Sequence, residues 1–381
     1  MDRRVREFHF PVGYHSFHKS QVFNFQLNRW LSLGYARYED MAEVGPRIAS
    51  FGDWKREMVR LAEHAVAEGR TVNAAFYYRA AEFYTQADDP DKELLYDRFA
   101  ELFNSAYGSD GIERIRIPYR DKSLPVMCVS AATPQARGTI LMHGGFDSFI
   151  EEFYSWMCHF AQLGYNVFGF EGPGQGAARR KQSLAFEPAW EKPVGAVLDH
   201  LELTDVTLLG ISMGGWLCFR AAAFEPRIKR VIASGVAYDY MQFAPLVAQW
   251  LFKLFTTRFR GFTIRQTRNK MLNDPMHMWT LSQLMYMTKQ DDVLEAMKAA
   301  QWMNAENLHS ERVAQDVLIL TGREDHFIPF KMHKMQVKAL VNARTVTGRV
   351  FTRDESAQNH CQIGNVRLAL SEMTDWLSAH A

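Results

Sequence analysis

Cysteine is scarce in this 381-residue chain. The four, Cys128, Cys158, Cys218 and Cys361, are scattered and form no C-x-x-C pair. That speaks against a disulfide framework or a zinc site and fits reduced thiols in a reducing compartment. Long apolar runs are missing too. The longest, Ala244 to Phe255, is interrupted by Gln249 and Lys253 and is too short to span a bilayer. There is no excess of one charge: 44 Lys and Arg stand against 43 Asp and Glu, a net charge of +1. With no basic cluster, nucleic acid is not an expected partner. Repeats and low-complexity tracts are absent. The first residues, Met1-Asp2-Arg3-Arg4-Val5-Arg6-Glu7, are charged and lead into no signal-peptide core. The expectation is a soluble cytoplasmic protein without a membrane partner. What the chain does have is 47% hydrophobic residues, enough for a sizeable core.

Apolar spacing divides the chain into parts. From the start to about Ser109 it reads as helix, with amphipathic segments at 53–67, 72–86 and 91–104. The aromatics Phe76, Tyr77, Tyr78, Phe83, Tyr84, Tyr96, Phe99 and Phe103 recur at helical spacing, so the expectation is packing core, with part of the set free to roof a site. After Gly108 the period changes. Segments 112–119 and 124–130 alternate like paired strands around a turn at 120–123. Strands at 138–143, 166–170, 206–210, 229–234, 316–320 and 344–351 then alternate with helices at 149–163, 189–201, 216–224 and 366–378. Repeated strand–helix units imply an α/β class with a mostly parallel, doubly wound sheet. The alternation is broken from about Tyr238 to Asn307 by a helical stretch rich in methionine and aromatics, among them Met241, Trp250, Phe252, Met276, Trp279, Met287 and Met303. Methionine lines adaptable apolar pockets, so this stretch is expected partly to cap the sheet and partly to wall a pocket. The expected organisation is a helical domain at 1–109, a core at 110–237 and 308–381, and a cap insertion at 238–307.

The chemistry is signalled at Val206-Thr207-Leu208-Leu209-Gly210-Ile211-Ser212-Met213-Gly214-Gly215. A run of β-formers enters G-x-S-x-G and an alanine-rich helical stretch leaves it, the context of a nucleophile elbow. Ser212 is the candidate nucleophile, standing at a helix N-terminus that favours developing negative charge. A serine hydroxyl needs a base, and the base needs an orienting acid. The strand at 316–320 runs into G-x-x-D-x-x-x-P, which makes Asp325 the candidate acid and the adjacent Glu324 the fallback. The loop Gln358-Asn359-His360-Cys361-Gln362-Ile363-Gly364 lies before the last helix, and His360 is the candidate base; His326 and His333 are rivals only by nearness to the acid loop. An oxyanion needs two backbone donors. Met213 N–H follows the nucleophile; the second comes from Gly145 or Phe146 in His143-Gly144-Gly145-Phe146-Asp147-Ser148, where paired glycines permit close backbone approach. His143 reads as structural. Glu171-Gly172-Pro173-Gly174-Gln175-Gly176 lacks the lysine of a P-loop and reads as a tight turn beside the site, with Glu171 holding loops together.

These motifs, in this order, resemble the α/β-hydrolase superfamily, and with the helical N-terminal segment they are most similar to its FrsA-like group, which includes 2,6-dihydroxypseudooxynicotine hydrolase and fungal polyketide-shortening hydrolases. The resemblance covers nearly the whole chain. It implies an α/β-hydrolase fold with a helical cap, and the nucleophile, acid and base roles for Ser212, Asp325 and His360. The group contains ester-cleaving enzymes and enzymes that cleave a C–C bond next to a ketone. In the latter an extra acidic residue between nucleophile and acid loop is implicated; the nearest carboxylate here is Asp239, an aspartate where a glutamate would be expected.

The expected activity is therefore cofactor-free, metal-free serine hydrolysis of a carboxylic ester with an apolar or aromatic acyl group. C–C hydrolysis of a β-diketone or acyl-phenol, with Asp239 as auxiliary acid, is the first alternative. A non-catalytic binding module on the same fold is the second. An exposed aromatic helical domain is compatible with a homodimer.

Overall fold

The computed structural model describes residues 5–240, 247, 254–256 and 258–380. At its centre is an eight-stranded sheet in the order β1-β2-β4-β3-β5-β6-β7-β8. The strands are β1 (Glu113–Tyr119), β2 (Lys122–Val129), β3 (Gly138–His143), β4 (Tyr165–Phe170), β5 (Val206–Ile211), β6 (Ile228–Ser234), β7 (Asp316–Gly322) and β8 (Thr345–Phe351). β1 and β2 pair antiparallel, β2 joins β4 antiparallel, and every pair from β4 to β8 is parallel. β5, in the middle of the parallel part, is buried on both faces, which is why all six of its residues are inside and Thr207 is its one polar side chain.

Strand alternation sends neighbouring side chains into two separate cores. Ile140, Met142, Leu209 and Ile211 pack on one face with the N-terminal helices and the terminal helix Val366–Ala379. Leu141, Leu208, Val231 and Ile319 pack on the other with the helices Glu191–His200 and Gly214–Ala222. The sheet is thus covered twice, as the strand–helix alternation implies.

The N-terminal helices are α1 (Gln21–Ser32), α2 (Tyr38–Val44), α3 (Phe51–Ala67), α4 (Thr71–Tyr84) and α5 (Asp91–Tyr107). α4 is the middle of an α3–α4–α5 antiparallel stack and is buried almost all round, which explains its weak amphipathic pattern. The aromatic set settles as core: Phe76 packs on Phe99 and Phe103, and Phe103 on Tyr107. Phe83 alone of the set reaches the cavity described below.

Two local readings are corrected. The first twenty residues are not helical where described: residues 5–20 form no helix, and α1 starts at Gln21. Pro11 lacks a donor and Gly13 sits at φ +136°, so this segment runs as a strap. It docks through Phe8 on Tyr35 and Tyr154, and Gly13 N–H donates to Gly364 O at 2.7 Å. The β1–β2 turn is two residues, not four, because Tyr119 pairs with Lys122 and Arg120 takes φ +56°.

The insertion after β6 supplies helices Arg260–Asn273, Pro275–Thr288 and Val293–Trp302. Asp274 caps the second, accepting from Met276 and His277 N–H at 3.0 and 3.2 Å, with Pro275 at its first position. Trp279 of that helix donates its indole N–H to Phe83 O at 2.7 Å, joining insertion to α4. Met241, Trp250 and Phe252 lie outside the described residues. No helix among the described residues is long and apolar enough to cross a membrane.

Candidate active site

Ser212 stands between the end of β5 and the helix Gly214–Ala222 with φ +63°. The surrounding glycines are dictated by space. A Cβ at Gly210 would strike Gly214 O, and one at Gly215 would strike Gly235 O. Only residues without side chains let the strand turn this tightly into the helix. Ser212 N–H donates to Ser234 O at 2.8 Å, which pins the turn to β6.

The structure brings three predicted side chains into one hydrogen-bonded row. Ser212 Oγ lies 2.8 Å from His360 Nε2, and His360 Nδ1 lies 2.7 Å from Asp325 Oδ2. Asp325 follows β7 and His360 follows β8, so all three groups meet at the carboxyl ends of parallel strands. The other Asp325 oxygen accepts from Phe327 and Ile328 N–H at 2.8 and 2.9 Å, fixing the carboxylate in its turn. Glu324 N–H donates to Gln358 O at 2.8 Å and ties the acid loop to the histidine loop. Burial disfavours the His360 imidazolium, but the Asp325 carboxylate outweighs it and raises the pKa well above the ordinary value.

The other candidates fall elsewhere. The Glu324 side chain is exposed and pairs with Arg353. His326 is held between Phe25 and Phe327, and burial and then His360 push it down to about 4. His333 Nδ1 bonds Thr321 Oγ1 at 2.9 Å. His143 is fully buried against Phe170 and Trp190, and burial lowers it to about 4. Asp239 is buried with Oδ2 accepting from Ala305 N–H at 3.3 Å, and it is not on the cavity wall.

The two glycine-loop N–H groups differ in their surroundings. Gly145 N–H is taken by Ser148 Oγ at 3.1 Å. Gln175 Nε2 donates to Gly144 O at 2.9 Å and Gly145 O at 3.1 Å. The carbonyl of Gly145 and the N–H of Phe146 belong to one planar peptide and point in opposite directions. Holding that carbonyl on Gln175 turns Phe146 N–H the other way, and Phe146 lines the cavity with Met213 whereas Gly145 does not. Gln175 is itself set by accepting from Gly172 N–H at 3.1 Å. Glu171 accepts from Ile150 and Ala177 N–H at 3.0 and 2.6 Å, joining three loops; burial first and Glu151 second raise it to about 8. Gln175 was missed in the sequence because a glutamine in a glycine-rich turn carries no signal of what it will reach. Gln175→Ala should therefore lower kcat about 10- to 100-fold with KM nearly unchanged, less than the 10²–10³ of losing an oxyanion donor outright. Steady-state kinetics separating the two constants checks this.

The row opens into a cavity of about 700 Å³. Its wall is mostly apolar: Phe25 of α1, Phe83 of α4, and Met276, Trp279, Met287 and Met303 of the insertion. The methionine-rich insertion thus divides, these members facing the cavity while Met287 and Met303 also join the core beneath.

The sequence matches the family described as alpha/beta hydrolase fold over residues 139–346. It is 30% identical over 314 residues to hydrolase LUC6 of a Fusarium species, covering 71% of each chain, and 28% identical over 322 residues to hydrolase acrC of Aspergillus aculeatus, covering 70% of this chain and 71% of that one. The crystal structure of 2,6-dihydroxy-pseudo-oxynicotine hydrolase superposes with a TM-score of 0.66 at 24% identity, covering 92% of this chain and 94% of the other. That likeness bears on the fold.

Proposed function

Because the chain belongs to the alpha/beta hydrolase family and is a hydrolase, we propose that it cleaves carboxylic esters of mid-sized apolar or aromatic acids through an acyl-enzyme on Ser212. The observation that carries this is the Ser212–His360–Asp325 row ending at an apolar cavity.

In this reading Ser212 Oγ attacks the ester carbonyl while His360 Nε2 takes its proton. Asp325 holds the Nδ1–H tautomer and stabilises the imidazolium that forms. Met213 and Phe146 N–H groups receive the oxyanion. Collapse breaks the C–O bond, and His360 returns the proton to the departing alkoxide. Water, deprotonated by the same imidazole, then attacks the acyl carbon and releases the acid and Ser212. No step calls for a metal or an organic cofactor. We rank C–C cleavage behind ester cleavage because a carbanion leaving group needs a nearby proton donor. The side chain the sequence offers for that, Asp239, is off the cavity wall.

The test is to quench the protein in acid during turnover of p-nitrophenyl butyrate and map the butyryl group by peptide mass spectrometry. The adduct is expected on the peptide bearing Ser212. Release of p-nitrophenol with the adduct elsewhere, or no release at all, would overturn the reading.

A further inference from the structure

The loop that carries His360 has a constrained backbone. Cys361 and Gln362 take φ +49° and +55°, and Gly364 takes φ +113°. Successive residues with side chains in the left-handed region persist only where their surroundings fix them. One anchor is on β6. Cys361 Sγ lies 3.4 Å from Ser234 O, and Ser234 Oγ donates to Gln362 Oε1 at 3.1 Å. Ile363 N–H closes the turn on His360 O at 3.2 Å. A shift at Gly364 is therefore passed to His360 through a single closed turn.

The other anchor comes from the opposite end of the chain. Gly364 N–H donates to Ser32 Oγ at 2.9 Å, and Gly364 O accepts from Gly13 N–H at 2.7 Å. Both backbone groups of Gly364 are thus held by the strap and α1. A Cβ at Gly364 would strike Ser356 O, so the chain can approach this closely only as glycine. Strap and helix are fastened to each other. Asn28 of α1 is fully buried; its Oδ1 accepts from His15 N–H at 2.7 Å and its amide donates to His15 O at 2.8 Å. Phe25 and Ser32 are two turns apart on one face of α1. The Phe25 ring centroid is 5.4 Å from Phe327 of the acid loop and 6.1 Å from His360. One helix face therefore reaches the loops of both the acid and the base. Ser32 is fully buried, so loss of its oxygen would leave Gly364 N–H buried without an acceptor.

We propose that Ser32 is a positioning residue for the reaction: through Gly364 it sets His360 against Ser212 and Asp325. The strap and α1 then belong to the working site as well as to the wall of its cavity. The effect is large because a base acts only within hydrogen-bond reach. His360 Nε2 lies 2.8 Å from Ser212 Oγ, and a drift of about 1 Å would take it out of range. Ser32 does not line the cavity, so it acts through the turn and not on the substrate. The inference rests on the ester-hydrolase reading for the roles of Ser212 and His360, while the contacts stand without it.

The test compares Ser32→Ala, Ser32→Cys and Ser32→Thr. Alanine removes the acceptor, sulfur is a weak one, and threonine keeps the hydroxyl. With p-nitrophenyl butyrate, kcat is expected to fall about 10- to 100-fold in Ser32→Ala and less in Ser32→Cys, with KM unchanged. Ser32→Thr should restore the rate. The second readout needs no turnover. The proton between His360 Nδ1 and Asp325 Oδ2 is deshielded by its short hydrogen bond and gives a low-field resonance in proton NMR. That resonance should move upfield in Ser32→Ala and return in Ser32→Thr. A serine that only holds the fold together would lower the melting temperature and leave kcat and the resonance where they are; that result would overturn the proposal. So would a change confined to KM, which would place the effect on the cavity. Should Ser32→Ala fail to fold, the closely similar Ser32→Cys carries both readouts. A resonance that moves in a protein without esterase activity would sink ester hydrolysis and leave the positioning role standing; turnover with kcat and resonance both unmoved would do the reverse.

Discussion

With Ser212 replaced by alanine, turnover of p-nitrophenyl butyrate is expected to drop by about 10⁶-fold, the loss seen when a serine nucleophile that works as a unit with its base is removed. The reason is that nothing else at this position can hold an acyl group. The neighbouring His360 Nε2 is directed at the Ser212 hydroxyl, and the thiol of Cys361 is turned onto Ser234 O at 3.4 Å. What survives is the cavity and the two N–H donors. The variant should fold, because alanine and serine meet the φ of +63° with similar strain. A left-handed conformation costs a residue with a side chain roughly 1–2 kcal/mol. Ser212→Gly should thus be as inactive as Ser212→Ala but about 1 kcal/mol more stable, since glycine takes that conformation without a Cβ clash. Parallel assays and urea titrations of the three proteins check both halves. Activity retained in Ser212→Ala would remove the nucleophile from the scheme. A less stable glycine variant would show that the elbow is not strained.

The sheet was legible because its strands are dictated by burial. β5 and β7 are wholly buried, so their apolar runs stand out, and the helices between them carry one apolar face. The loops that end those strands were legible for a related reason: turns this tight demand glycine, and glycine marks the place even where the partner is far along the chain. Ser212, Asp325 and His360 are spread over 148 residues yet lie within hydrogen-bond reach. What was hidden depends on geometry without a pattern. α1 packs on all sides, so its sequence does not announce that Phe25 lies beside the imidazole or that Arg29 faces a cavity. The helix Lys331–Ala339 escaped notice because its sequence, KMHKMQVKA, is mostly polar. The choice between Gly145 and Phe146 could not be read from paired glycines. The proposed preference for Phe146 rests on the bond that Gly145 N–H gives to Ser148 Oγ, a contact no glycine pattern announces.

Asp325→Asn should lower kcat by about 10⁴-fold, and should also move the pH dependence of what remains. The amide keeps the shape of the side chain and both bonds from Phe327 and Ile328 N–H to its oxygen. Its NH2 then faces Nδ1, which favours the tautomer with the proton on Nε2, and that nitrogen cannot accept from Ser212. The direction of the pH shift follows from the charges. The general base must be neutral, so kcat/KM rises as pH passes upward through the His360 pKa. In the wild type burial lowers that pKa and the Asp325 carboxylate raises it by more, so the acid limb should lie above the ordinary 6.5. Without the carboxylate burial is opposed only by the neighbouring Cys361, so the limb should move down from its wild-type position. Profiles of kcat/KM for both proteins between about pH 5 and pH 10 would test the sign as well as the size. Glu324→Gln is the control. Its carboxylate is exposed and points to Arg353, so neither rate nor limb should move. A limb that stays put in Asp325→Asn but shifts in Glu324→Gln would transfer the orienting role to the neighbouring residue.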